Sequence, residues 1–222
     1  VPDSGARVLI PEGVEVQVDG LITHNIGTIG IYGTLSFATD ADTELRVHTL
    51  VSPMSGTLEV GTIESPVAEK VTARIVFTSE SIFDENEDPK DLSRGAILMG
   101  PTKMHGHAKT HRSTVAVHPS IGDTTINLSS SPNQWAIGDS IVIAGTEPGN
   151  PESDEQRLIT NIEGTIITLN EALDLDHVAP EDDLAVHVAN LTRNIEIISE
   201  STDITKRGHI MLMNNLIVDM QY

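Results

Sequence analysis

The segment Gly33–Phe37, with the sequence GTLSF, returns as GTLEV at Gly56–Val60. Each copy begins with glycine and then alternates polar and apolar residues, the pattern of a short β-strand with one buried face. A unit that returns after about 20–30 residues is typical of stacked repeats, in which each repeat buries its apolar face only against its neighbours. These two segments therefore predict a solenoid of stacked β-strands.

The rest of the chain uses the same residue types. Runs of Val, Ile, Leu and Thr, such as Ala73–Phe77 and Ser140–Ala144, are separated by Gly, Pro, Asn and Asp, and no apolar stripe of helical period is long enough for a substantial helix. Aromatic residues make up 3% of the chain, which favours the aliphatic ladders of a solenoid over a sandwich or barrel core. We predict an all-β fold, a right-handed parallel β-helix, with a β-sandwich as the alternative.

One stretch departs from this rhythm. Leu158–Ile162 and Thr165–Leu169 alternate polar and apolar residues on either side of Glu163-Gly164, which predicts a hairpin with glycine at a positive φ. We therefore expect an antiparallel β subdomain at residues 121–180, after a β-helix domain at residues 1–120 and before its continuation at residues 181–222. The strand-like segment at the end of the chain predicts a piece of a longer protein with further coils.

The net charge excludes several classes of partner. Lys and Arg number 13 against 33 Asp and Glu, a formal net charge of −20 at pH 7. A surface this acidic repels phosphate backbones and anionic lipids, so we expect no nucleic-acid partner.

The lack of cysteine excludes disulfides, thiolate catalysis and cysteine-based zinc sites. No apolar run approaches the ~18 residues of a membrane span.

An acidic loop is a candidate calcium site. Asp84, Asn86 and Asp88 place oxygen ligands at alternate positions, a spacing with which one loop can wrap a hard cation. The full EF-hand pattern is absent, because Pro89 stands where glycine is needed and Gly95 stands where the last carboxylate is needed. The alternatives are a bound calcium ion and a solvated acidic loop.

A basic, histidine-rich segment is a candidate for binding an anionic sugar. Its residues are Lys103, His105, His107, Lys109, His111 and Arg112. In a strand, His105 and His107 face the same side, where their imidazoles could share a transition metal together with His111. The remaining interpretation is structural, with His105 stacked in the solenoid and the other two histidines in surface loops.

No catalytic residue stands out. Acidic residues are so frequent between Asp139 and Asp183 that many pairs could satisfy the two-carboxylate requirement of glycoside hydrolysis. Asp139 follows Gly138 and is interpreted as a turn residue that bonds its own backbone. Trp135 is interpreted as a core residue rather than a sugar-stacking platform.

Several motifs, in the same order, resemble the eight-glycine (G-eight) domain family. They are Ile10–Val14, Ile31–Phe37, Gly56–Thr62, Met104–Gly106 with Lys109, Trp135–Thr146 with Glu155, Leu191–Ile195 and Gly208–Met211. This family includes cell-surface hyaluronidases, cell migration-inducing hyaluronan-binding proteins, fibrocystin-like receptors and bacterial surface proteins. The resemblance implies a right-handed β-helix that is secreted or at a cell surface, with residues 1–120 as the eight-glycine domain.

The resemblance leaves two functions open. The first is an accessory module that binds polysaccharide, preferably an acidic glycan, in a carbohydrate-processing or adhesion protein. The second is a fragment of a glycosidase or lyase that acts on a hyaluronan-like polymer. Family members that act on hyaluronan carry an Arg with acidic residues after the strand that corresponds to Ala73–Phe77, whereas in this chain no Arg follows that strand until Arg94. We therefore expect that this chain alone does not depolymerise hyaluronan; a metal-binding surface protein is a further alternative.

Overall fold

The computed structural model describes residues 2–80, 88, 92–147, 149–150, 152–181, 183–213 and 217–221. These residues form β-strands and a single-turn 3-10 helix, η1 (Ile204–Lys206), and contain no α-helix, so the predicted all-β class is confirmed. In the same residues, no helix is long and apolar enough to cross a membrane. The strands are β1 (Arg7–Ile10), β2 (Glu15–Val18), β3 (Ile26–Ile31), β4 (Thr34–Phe37), β5 (Thr43–Ser52), β6 (Thr57–Val60), β7 (Ala73–Phe77), β8 (Gly95–Leu98), β9 (Thr102–His105), β10 (Arg112–Thr114), β11 (Thr125–Asn127), β12 (Ser140–Ile143), β13 (Glu155–Glu163), β14 (Ile166–Leu169), β15 (His187–Asn190), β16 (Ile195–Ser199), β17 (His209–Leu212) and β18 (Val218–Gln221).

The chain divides into two compact units. The parallel unit comprises Val1–His107 and Arg193–Tyr222, and the antiparallel unit comprises Ala108–Thr192. The antiparallel unit thus begins earlier and ends later along the chain than the 121–180 boundaries expected from sequence. Strands β10 and β15 lie outside that interval, and no hairpin pattern marks them, because they are short and far apart in the sequence.

The parallel unit contains two sheets. The first sheet is ordered β1-β3-β5-β7-β16 with β8 and β17 alongside, and the second is ordered β2-β4-β6-β9-β18. Strands β1 to β6 alternate between the two sheets, whereas β7 and β8, and likewise β16 and β17, follow each other within the first sheet. All pairings between these strands are parallel. Parallel strands with faces buried against each other need apolar residues at every second position, and Leu35, Leu58 and Val60 supply them in the core.

The repeated GTL segments lie side by side in this unit. Thr34 pairs with Thr57 and Leu35 with Leu58 in β4 and β6. A Cβ atom on Gly56 would lie 1.7 Å from the carbonyl oxygen of Ile31. Only glycine allows backbones to pass so closely. Glycine is therefore required at the first position of the repeat, where the chain turns into the second sheet.

The described part of the antiparallel unit forms a six-stranded sheet, ordered β10-β15-β12-β13-β14-β11. Its end strands meet, because Ala116 N donates to Asn127 O at 2.7 Å and Ser129 N donates to Thr114 O at 2.8 Å. The sheet therefore closes on itself around a core that is aliphatic except for Trp135, an arrangement that removes exposed strand edges.

Three local predictions are confirmed in the antiparallel unit. Strands β13 and β14 form the expected hairpin with Gly164 at a φ of 63°, and its turn is Gly164-Thr165, one residue later than expected. Trp135 is buried, and its indole Nε1 donates to Thr110 O at 2.6 Å. Asp139 closes its turn by accepting a 2.9 Å hydrogen bond from Ala136 N.

Candidate functional site

A row of polar side chains crosses the outer face of the second sheet. Backbone register places Gln17 beside Ser36, Ser36 beside Glu59, Glu59 beside Lys103, and Lys103 beside Asp219. We call Gln17, Ser36, Glu59, Lys103 and Asp219 the polar row. Each strand of the second sheet contributes one member, so successive members lie about 4.7–4.9 Å apart along the sheet.

A cleft of about 440 Å³ adjoins the polar row, and we call it the row cleft. Gln17, Ser36 and Glu59 of the row line it together with Glu15 and hydroxyl-bearing residues of the loops that follow β4 and β6. Ser36 Oγ donates to Glu15 Oε1 at 3.1 Å. The lining is therefore rich in oxygen atoms that donate or accept hydrogen bonds.

Other contacts in and beside the row bring two of the predicted binding residues onto this face. Lys103 Nζ donates to Glu59 Oε2 at 3.1 Å. His105 is 2% exposed, and its Nε2 lies 3.0 Å from Asp219 Oδ2 but out of line for a hydrogen bond. Lys103 thus carries a positive charge between two acidic side chains, while the His105 ring is covered.

The other predicted binding residues lie elsewhere. His107 is in the parallel unit, where its backbone N–H donates to Asn194 Oδ1 at 3.0 Å. Lys109, His111 and Arg112 belong to the antiparallel unit. Lys109 Nζ donates to both carboxylate oxygens of Asp139 at 2.8 Å, whereas His111 and Arg112 are exposed. The six residues are thus distributed over two units.

The predicted calcium loop lies partly outside the described residues. Asp84 and Asn86 are not among them, whereas Asp88 is. Asp88 accepts hydrogen bonds from Ser93 N, Ser93 Oγ and Leu92 N, and these bonds lower the pKa of its carboxyl group below the ordinary value. Among the described residues, no group of three His, Asp or Glu side chains is placed to hold a metal ion.

Arg94 has a structural contact. It is 3% exposed, and its guanidinium donates to the carbonyl oxygen of Thr78 at 2.6 Å. Thr78 immediately follows β7, the strand after which the eight-glycine resemblance predicts an Arg in members that act on hyaluronan. In this chain the Arg94 side chain is therefore buried against the backbone of Thr78.

A buried cluster of charged residues in the antiparallel unit was missed by sequence reasoning. Glu155 Oε2 lies 2.8 Å from His177 Nε2, and Glu155 Oε1 accepts a 2.5 Å hydrogen bond from Arg157. His177 Nδ1 faces the carbonyl oxygen of Ala144 at 2.9 Å. Burial acts to raise the pKa of Glu155, but hydrogen bonds led by that from Asp174 N outweigh burial and lower the pKa. We call Glu155, Arg157 and His177 the charged cluster.

The sequence profile of the G8 domain matches residues 1–116. Since the match covers more than half of the chain, this chain belongs to the G8 domain family, as the eight-glycine motifs indicated. It is 26% identical to fibrocystin of Canis lupus familiaris over 96% of its own length, and 26% identical to human fibrocystin-L over 88%. The chain spans only 5% of each of these relatives.

Two solved structures show weaker similarity. The tailspike gp61 of Pseudomonas phage phi297 aligns with a TM-score of 0.33 at 9% identity, covering 82% of this chain and 25% of the tailspike. The tailspike Gp54 of Acinetobacter baumannii bacteriophage AP22, solved with capsular saccharide, aligns with a TM-score of 0.32 at 11% identity, covering 82% and 23%. Scores this low do not establish a common fold.

Proposed function

We propose that this chain is an extracellular or cell-surface module that binds polysaccharide along the polar row and the row cleft. The observation that carries the proposal is the geometry of the row, one hydrogen-bonding side chain per strand beside an oxygen-rich cleft. A linear polymer of hydroxyl-bearing units offers donors and acceptors repeatedly along its length. A regular row of side chains can therefore bind several units at once.

The rigidity that such binding needs is supplied by the proposed architecture of the parallel unit, a right-handed β-helix. Its strands are divided between two parallel sheets, and strands of successive repeats pair within each sheet, as β2 does with β4 and β3 does with β5. Connections between parallel strands of one sheet are right-handed in about 98% of cases. Side chains on sheet strands are held more precisely than side chains on loops.

The composition of the row cleft supports a neutral glycan as the ligand. Glu15, Asp40 and Glu59 line the cleft, and the neighbouring Lys103 is already bound to Glu59. An anionic sugar would meet like charges there, which costs binding free energy. Carboxylates, by contrast, form strong hydrogen bonds with neutral sugar hydroxyls. Of the basic residues that predicted an acidic glycan as the ligand, only Lys103 belongs to the polar row.

Affinity gel electrophoresis of the full chain tests this proposal. The gels contain neutral polymers of glucose, mannose or galactose, or hyaluronan as the acidic comparison. We expect retardation by at least one neutral polymer and roughly tenfold weaker binding for Glu59→Gln, because a lost hydrogen bond to a charged group costs about 1.5–3 kcal/mol. Glu196→Gln, on the first sheet and paired with Arg74, is the matched control.

Three results would contradict the proposal. One is a lack of retardation by every neutral polymer. Another is an equal loss of binding in Glu59→Gln and Glu196→Gln. The third is a preference for hyaluronan, which would assign the binding role to the basic segment instead. If the chain cleaved hyaluronan, the same gels would also show its shortening.

A further inference from the structure

A second cleft lies in the antiparallel unit. Its volume is about 640 Å³, and the end of β12 and the segment before β15 form its two sides. We call it the Leu184 cleft. It contains Ala144 and Glu147 on one side and Ala179, Asp183 and Leu184 on the other.

The walls of the Leu184 cleft are mainly apolar. Leu184 is 52% exposed, and Ala179 packs partly against the core of the unit. Pro180, Ala185 and Val186 also line the cleft. An exposed leucine in a concave, largely aliphatic surface gains free energy when an apolar side chain covers it, at about 25 cal/mol per Å² removed from water.

The rim of the cleft is acidic. Glu147 and Asp183 are exposed at its opening, and residues 108–192 contain thirteen acidic side chains against three basic ones. Two of those three, Lys109 and Arg157, are bound to carboxylates of the unit itself. An approaching cation is therefore attracted, and an approaching anion is repelled.

Hydrogen bonds hold one side of the cleft in place. Gly145 N donates to Asp154 Oδ1 at 2.7 Å, and Asn150 Nδ2 donates to Glu147 Oε2 at 2.9 Å. The Ala144 carbonyl oxygen faces His177 of the charged cluster. A site ordered before binding loses less conformational entropy when its ligand arrives.

We propose that the Leu184 cleft binds an extended peptide in which an aliphatic residue is flanked by Lys or Arg. The aliphatic side chain covers Leu184, and the basic side chains lie beside Glu147 and Asp183. The partner binds through side chains, because β15 already pairs with β10 on one side and β12 on the other. Charge complementarity selects a basic segment over an acidic one.

Fluorescence anisotropy with three labelled peptides tests the proposal on the full chain. The first alternates Lys and Leu, the second replaces each Lys with Glu, and the third replaces each Leu with Ser. We expect binding of the first peptide alone. We also expect the affinity to fall about tenfold between 50 and 500 mM salt, because salt screens exposed charge pairs.

Variants assign this binding to the cleft. We expect Leu184→Ser and the double variant Glu147→Gln/Asp183→Asn each to weaken binding roughly fivefold, the range of exposed charge pairs and a half-buried leucine. Leu158→Ser and Glu171→Gln alter exposed residues on other parts of the unit and serve as matched controls. Melting temperatures report whether each variant folds.

The proposal is overturned by any of three outcomes. The acidic or the serine-substituted peptide could bind as tightly as the first, the control variants could lose as much affinity as the cleft variants, or none of the peptides could bind. Because the peptides differ only in sequence, the first outcome decides the proposal even if a cleft variant fails to fold. Polysaccharide binding by the second sheet is measured separately.

Discussion

The two units stabilise their β-sheets in different ways. The parallel unit repeats one arrangement, an aliphatic ladder with glycine at the turn into the second sheet, so many similar contacts share the stability. The antiparallel unit closes its sheet once and buries a few ionisable side chains, among them Glu155, His177 and Asp139. A repeated apolar ladder distributes the effect of a mutation over neighbours, whereas a buried charge depends on each of its partners.

The largest effect is expected from breaking the charged cluster. Glu155→Gln removes the carboxylate that binds Arg157 and faces His177. The side chains of Arg157 and His177 are both almost fully buried. Arg157 then loses its buried anionic partner, and removing one side of a buried ion pair typically costs about 3–5 kcal/mol. Hydrogen exchange followed by mass spectrometry should show faster exchange throughout residues 108–192 and unchanged exchange in the parallel unit.

Glu163→Gln is the control for this variant, because Glu163 is on the same strand but accepts a hydrogen bond from the exposed Asn161. It should leave exchange unchanged in both units. Equal exchange in Glu155→Gln and the wild-type chain would show that the cluster does not stabilise the antiparallel unit.

A smaller effect is expected from adding one methyl group to the ladder. Gly56→Ala places a Cβ within 1.7 Å of the Ile31 carbonyl oxygen, so the backbone must shift, at a cost of about 1–3 kcal/mol. Gly20→Ala is the matched control, because no atom lies within 4 Å of the added Cβ. Chemical denaturation should show a lower midpoint for the first variant only, and equal midpoints would contradict the close approach.

Lowering the pH should also reveal a difference in stability between the two units, with a smaller effect than the mutations above. The lowered pKa of Glu155 means that the folded antiparallel unit binds fewer protons than the unfolded chain. Its stabilising contribution is therefore present above the ordinary carboxyl pKa of 4.5 and is lost as the pH falls below that value. In the parallel unit the pKa of Glu200 is also lowered, chiefly by the backbone hydrogen bond from Ser79, but this side chain is 31% exposed and screened by solvent.

Hydrogen exchange between pH 7 and pH 3, corrected for intrinsic rates, measures the difference. The antiparallel unit should lose protection at a higher pH than the parallel unit, and Glu155→Gln should remove most of that dependence. If the parallel unit instead lost protection at the higher pH, this interpretation of Glu155 would be wrong.

The smallest effect concerns calcium. If the loop at Asp84, Asn86 and Asp88 binds calcium, the parallel unit gains about 1.4 kcal/mol when the ion is present at ten times its dissociation constant. Its melting temperature should rise with calcium, fall with EDTA, and become insensitive to both in Asp84→Asn. A melting temperature of the wild-type chain that ignores calcium and EDTA would remove this site.

Local patterns predicted much of the fold, because their cause is local. The GTL repeat predicted the neighbouring strands β4 and β6, and alternation around Gly164 predicted the hairpin. The charged cluster was not predicted, since Glu155 and His177 are 22 residues apart and meet only when the sheet closes. Likewise, nothing near Lys109 in the sequence indicates that Asp139, 30 residues away, binds its amine.

The polar row was predicted only in part for the same reason. Lys103 and His105 were recognised by their chemistry, but their neighbours Glu59 and Asp219 come from strands far away in the sequence. Which side chains become neighbours depends on the register of the second sheet, and a shift of one residue would turn every one of them to the other face.

Alternation along the strands also has an evolutionary consequence for the polar row. Its members lie on the opposite face of their strands from core residues such as Leu58 and Val60. Under the proposed function, a substitution at an exposed member of the row such as Gln17 changes what the surface binds, while the apolar face of the strand stays as it is. If that function holds, G8 domains can diverge in ligand preference by single mutations, one strand at a time, while the glycine pattern that identifies the family is retained.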